Sequence, residues 1–165
     1  MNRSRFLGLA GATLLLAGCG FQLRQAPHFA FTSIAITGAP GSALGNELRR
    51  TIASGGNISV VDAARPGSAQ VVLDLLGDQR EKVVVGLNAS GQVREFQLRT
   101  RVKFKLHTPQ GKELIPETEL LQERDISYNE SAALAKEAEE GLLYRDMQTD
   151  IVQQLMRRLA AVKTI

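Results

Sequence analysis

Hydrophobic and polar positions alternate most strictly between residues 95 and 106. Phe96, Leu98, Thr100, Val102, Phe104 and Leu106 hold the even positions, and Gln97, Arg99, Arg101, Lys103 and Lys105 the odd ones. In an extended chain successive side chains point to opposite faces, so this pattern predicts a strand with one buried face. Pro109-Gln110-Gly111 turns the chain, and residues 113–127 follow with Glu117, Glu119, Glu123 and Asp125 all at odd positions. A hairpin folded about residue 110 keeps odd residues beside odd ones. It sets Lys103 near Glu117 and Arg101 near Glu119, so a basic stripe meets an acidic one. Opposite charges facing across a strand pair contribute about 0.2–1 kcal/mol each, which makes a solvated, charge-paired outer face the simplest account of both stripes.

Upstream, Thr32–Thr37 and Ile58–Val61 are short strand candidates. Between them Pro40-Gly41-Ser42 opens a helix in which Leu44, Leu48 and Ile52 recur every fourth residue, and Gly55-Gly56 stops it. After the Pro66-Gly67-Ser68 turn, Val71–Leu76 begins a long extended region that breaks at Gly77 and resumes at Val83–Val85. A glycine inside such a run suggests a β-bulge. Residues 86–91 read as a hairpin loop.

The last element runs from Ser131 to Ala161. Leu134, Ala138, Leu142, Met147, Ile151, Leu155, Leu159 and Val162 form its apolar stripe, and Asn129 or Ser131 can cap its start. Glu137, Glu139 and Glu140 come early, and Arg157, Arg158 and Lys163 late, an order that complements the helix dipole. With no internal repeat and no linker, the expected architecture is one α+β domain: a small mixed or antiparallel sheet of about four to five strands, with a short helix and the long C-terminal helix packed on one face.

The N-terminus departs from this globular pattern. Residues 2–5 are basic, and Phe6–Ala17 is an apolar run of about a dozen residues, short of the roughly twenty a membrane-spanning helix needs. Leu16-Ala17-Gly18-Cys19 resembles the lipobox of bacterial lipoproteins, and Cys19 is the single cysteine of the chain. Residues 1–18 are expected to be a lipoprotein signal peptide, residues 19–30 a tether lipidated at Cys19, and residues 31–165 the domain. Three acyl chains on that cysteine exceed what stable anchoring requires. Gly20 follows the cysteine in place of the aspartate that favours inner-membrane retention in enterobacteria, which points to the outer membrane.

Charge adds little once the signal peptide is set aside. The formal net charge of +3 includes Arg3 and Arg5, so the remainder carries +1, which makes no case for a nucleic-acid partner. A lone cysteine allows no internal disulfide and no cysteine zinc cluster, and the two histidines, His28 and His107, lie far apart in sequence. No GxSxG, P-loop or GxGxxG motif stands at a strand-to-helix turn. His107 with Asp74 or Asp125 could form part of a triad, but a solvent-exposed turn histidine is the simpler reading. Neither an enzyme nor a metal or cofactor site is expected.

Four features together resemble the LptE family of lipopolysaccharide-assembly lipoproteins, also called rare lipoprotein B. They are Cys19 followed by Gly20-Phe21-Gln22-Leu23-Arg24; the Ser90-Gly91-Gln92 hairpin leading into an alternating strand; Ala133-Leu134-Ala135-Lys136 at the opening of the last helix; and Tyr144-Arg145-Asp146-Met147 followed by Gln154–Leu159. The hairpin tip carries Ala89 where some members have a basic residue, so the resemblance assigns no contact there. It implies a plug within the lumen of the LptD β-barrel, the two forming the translocon that delivers lipopolysaccharide to the outer leaflet, with roles in barrel assembly and in lipopolysaccharide binding. Lipid A phosphates suit Lys and Arg donors. The candidates are Lys136, at the helix start where the dipole also favours an anion, and Arg94, Arg99 and Arg101. The rival reading is a stand-alone outer-membrane lipoprotein that binds a small ligand or peptidoglycan.

Overall fold

The alternating segment forms a strand flanked on both sides in a five-stranded mixed sheet. The computed structural model describes residues 28–38 and 41–165. In chain order the elements are β1 (Ser33–Thr37), α1 (Ala43–Ser54), β2 (Ser59–Val61), β3 (Val71–Leu87), β4 (Val93–His107), β5 (Glu113–Ser127) and α2 (Ala133–Ala161). The sheet order is β2-β1-β3-β4-β5. The pairs β1–β2 and β1–β3 are parallel, and β3–β4 and β4–β5 are antiparallel. This is the expected α+β architecture.

Both helices cover the same face of the sheet. Ile34 and Ile36 of β1, Val71, Leu73 and Leu75 of β3, and Val102, Phe104 and Leu106 of β4 form one cluster with Leu44, Leu48 and Ile52 of α1 and Ile151, Leu155 and Leu159 of α2. Ser42 caps α1, its hydroxyl accepting from the Gly45 amide at 3.1 Å and donating to Asp78 at 2.8 Å. The apolar face of α1 is thereby aimed at the sheet. Phe29 also packs on this core, its ring 5.5 Å from that of the buried Phe31.

Bulges decide which residues of the long strands face the helices. In β3 the register shifts between Leu75 and Gly77, as the glycine suggested. Before the shift odd residues face the core; after it, Asp78, Arg80 and Lys82 stand opposite the inward residues Val102, Thr100 and Leu98. The strand is continuous to Leu87, so the expected break up to Val83 is absent and the loop is shorter than residues 86–91, closed by Asn88 hydrogen-bonded to Gln92. At the β4–β5 turn His107 pairs with Glu113. Two register shifts follow, so Lys103 lies opposite Glu119 and Arg101 opposite Leu121, two residues beyond the expected positions. Two shifts restore parity, which is why the basic and acidic stripes still share a face. Arg99 meets Glu123 at 3.0 Å, Arg101 meets Glu119 at 3.5 Å, and Lys103 meets Glu119 at 3.9 Å.

The long helix differs from its predicted stripe. Met147, Ile151, Leu155 and Leu159 are buried, but Leu134 is 84% and Leu142 55% exposed, and Ala138 is exposed with them. Only the C-terminal half of α2 uses the stripe for packing. Asn129, not Ser131, caps the approach: its side chain accepts from the Ser131 amide at the 3-10 turn Glu130–Ala132, which runs directly into α2. Cys19, the expected signal peptide and the expected tether as far as residue 27 lie outside the described residues.

Candidate functional site

Where the N-terminal half of α2 crosses the distal end of the sheet, helix and sheet do not close on each other. A cleft of about 310 Å³ lies between them, lined by Lys82, Phe96, Ile126, Ser127, Tyr128, Ala133, Lys136, Glu137 and Glu140. The β3 bulge turns Lys82 inward, and the β4 alternation does the same for Phe96. On the helix, Ala133, Lys136, Glu137 and Glu140 recur at steps of three and four, so one face of α2 presents small and charged groups to an aromatic floor.

Both lysines of the cleft are ion-paired, whereas Glu137 has no partner among the described residues. Lys82 Nζ meets Glu140 Oε2 at 2.6 Å and lies 4.3 Å from the centre of the Phe96 ring. Lys136 Nζ donates to Ser127 Oγ at 3.0 Å and to Glu139 Oε2 at 2.9 Å. The Lys136 side chain is 22% exposed, and its ion pair is with Glu139. The Phe96 and Tyr128 rings meet edge to face, centroids 5.3 Å apart at 77°. The site therefore offers an apolar floor and two ammonium groups at its rim, each neutralised by a carboxylate that an anion could displace.

The other sequence candidates lie elsewhere. Arg99 and Arg101 belong to the outer sheet face, opposite the helices, and are held by Glu123 and Glu119; Arg99 also donates to Gln97. The Arg101 Nε is buried without a hydrogen-bond partner. Arg94 is exposed beside a second hollow of about 250 Å³ lined by Gln92, Val93, Asn129, Glu130 and Ser131. The four residues do not converge on one point. Lys82, Phe96 and Tyr128 were missed, because only the bulge at Leu76 brings Lys82 onto the helix face.

His107 is not a free turn histidine. It ends β4, with Nδ1 2.7 Å from the Thr108 carbonyl oxygen and Nε2 3.2 Å from Asp74 Oδ2. Asp74 also accepts from the Thr37 hydroxyl, and Lys105 Nζ lies 3.4 Å away. Burial acts to raise the Asp74 pKa, but the hydrogen bonds from Thr37, Lys105 and His107 outweigh it and hold the carboxyl below its ordinary range. This cluster ties β1, β3 and β4 together on the outer face. Among the described residues no group of three or more His, Cys, Asp or Glu could hold a metal, and no helix is long and apolar enough to cross a membrane.

Known proteins resemble the chain over the same span. It is 31% identical over 159 residues to the LPS-assembly lipoprotein LptE of Yersinia pestis, covering 94% of this chain and 74% of that one. Among solved structures it is similar to lipoprotein B from Nitrosomonas europaea, with 36% identity and a TM-score of 0.74 over 86% of this chain and 91% of that one. The rare lipoprotein B of Shewanella oneidensis is 26% identical with a TM-score of 0.67, over 79% and 95% of the respective chains. The model of the family described as "LptE: Lipopolysaccharide-assembly" matches residues 31–159, from the start of the sheet to the last buried residue of α2, and the chain belongs to that family.

Proposed function

We propose that this protein is a lipoprotein of the outer membrane, anchored through Cys19 on the periplasmic side, that plugs an LptD β-barrel and supports its assembly. Together the two form the translocon that delivers lipopolysaccharide to the outer leaflet. Membership of the family over residues 31–159 carries the reading and supports a non-enzymatic role in lipopolysaccharide assembly within the cell envelope. The domain suits a plug: a water-lined lumen is matched by a polar coat, and the outer sheet face is a lattice of ion pairs from Lys105–Asp74 to Arg99–Glu123. Affinity purification from outer membranes tests the partnership, with a large barrel expected at one-to-one ratio. Photocrosslinkers at Leu76, Leu121, Leu134 and Leu142 sample both layers of the domain, and a plug is captured from all of them. Capture from one edge alone indicates a peripheral accessory, and no barrel indicates the stand-alone ligand-binding lipoprotein.

Lipopolysaccharide binding is assigned first to Lys136, with Arg94, Arg99 and Arg101 as the other candidates. Lys136 borders the one apolar-floored cleft described above, where an acyl chain and a phosphate can be met together. Binding of purified protein to lipopolysaccharide should fall with Lys136→Asp and hold with Arg99→Asp/Arg101→Asp. The opposite pattern places the contact on the sheet.

A further inference from the structure

The first two turns of α2 are built unlike the rest of the helix. Their large apolar residue, Leu134, points to solvent at 84% exposure, while Lys136 and Glu140 turn toward the sheet. Beneath them lies open space rather than packed side chains. Two polar contacts bridge it, Lys82–Glu140 and Lys136–Ser127. Packing resumes past Gly141: Leu143, Tyr144 and Met147 join Leu98 and Ile126, and the Tyr144 hydroxyl donates to the Glu81 carbonyl at 2.7 Å. Gly141 itself has no steric reason to be glycine, since a Cβ there meets nothing within 4 Å. In a helix interior glycine costs stability relative to alanine and frees the backbone.

We propose that residues 133–140 form a strap, flexing at Gly141 and at the 3-10 turn Glu130–Ala132, whose opening uncovers the Phe96–Ile126–Tyr128 floor to an acyl chain of an anionic lipid. The occupant rests on the lipid-binding reading above; the motion does not. In the closed state each lysine at the rim is neutralised, Lys82 by Glu140 and Lys136 by Glu139. Lifting the strap separates Lys82 from Glu140, exposing the apolar floor and an unpaired ammonium together. An anionic amphiphile compensates both, whereas a neutral detergent compensates only the first.

Hydrogen exchange on the full-length protein in a neutral detergent tests the motion. Amides of residues 137–141 should exchange at least about tenfold faster than those of 148–155, with the change falling at Gly141. Glu140→Gln should speed the strap amides about twofold, and Gly141→Ala should slow them about fivefold. Uniform protection along α2, or fast exchange confined to the first turn as in ordinary end fraying, overturns the strap. Lipid A added to the same detergent should slow the strap amides, and Gly141→Ala should slow lipid A association. If lipid A binds and the strap amides do not respond, the strap is not on the lipid's path and the proposal fails. If lipid A does not bind at all, the lipid-binding reading and the assigned occupant fail together, while the detergent measurement alone decides whether the strap moves.

Discussion

Asp74 shows how much a single side chain can hold on the outer face of a sheet. From its place in β3 it takes three donors from the two neighbouring strands: Thr37 of β1, and Lys105 and His107 of β4. Asp74→Asn should cost about 2 kcal/mol at neutral pH, from weakened charge-assisted hydrogen bonds. The sign of the pH dependence follows from the lowered pKa. The stabilisation is fully present above the ordinary value of 3.8, and it is lost as pH falls through the lower folded value. Urea unfolding of both proteins at pH 7 and near pH 2 checks this: the stability gap should narrow on acidification, and a gap that stays constant removes the charge from the explanation. The Asp74–His107 pair was among the combinations the sequence allowed. What was not visible was that Thr37, from a parallel neighbour about forty residues upstream, completes it.

Elements were legible where one period ran unbroken. The alternation from Phe96 to Leu106 and the four-residue spacing of Leu44, Leu48 and Ile52 gave β4 and α1 with their buried faces. Register was less legible, because it depends on bulges. The pairing at His107–Glu113 is the one a turn about residue 110 implies, yet two later shifts carry Lys103 to Glu119. The eight-position apolar stripe predicts more packing for α2 than the helix has, because only the half from Met147 onward meets a sheet face that needs covering. The same chemical change should therefore have very different consequences at its two ends. Leu155→Ala, in the fully buried half, should cost about 2–5 kcal/mol. Leu134→Ala, at 84% exposure, should stay within about 0.5 kcal/mol. Thermal or urea unfolding of the two variants measures the contrast, and a large loss at Leu134 would mean that its side chain has a partner in the isolated protein.

At the scale of the whole molecule, two attachments are proposed, a lipid at Cys19 and a barrel around the domain, and they rest on different physics. Acyl chains bind a bilayer through apolar area, and three on one cysteine make a stable anchor. A plug is instead retained by many polar contacts over an enclosing surface, where affinity follows complementarity rather than area alone. Under this proposal the charged coat of the sheet serves the second attachment and contributes nothing to the first. Cys19→Ala therefore separates them. The variant should lose labelling by a fatty-acid probe and resist lipoprotein-type processing, yet once exported by another signal it should still co-purify with the barrel at one-to-one ratio. Normal labelling would remove the cysteine assignment. Loss of the barrel together with the lipid would show that the anchor, not the fit of the domain within the lumen, brings the partners together.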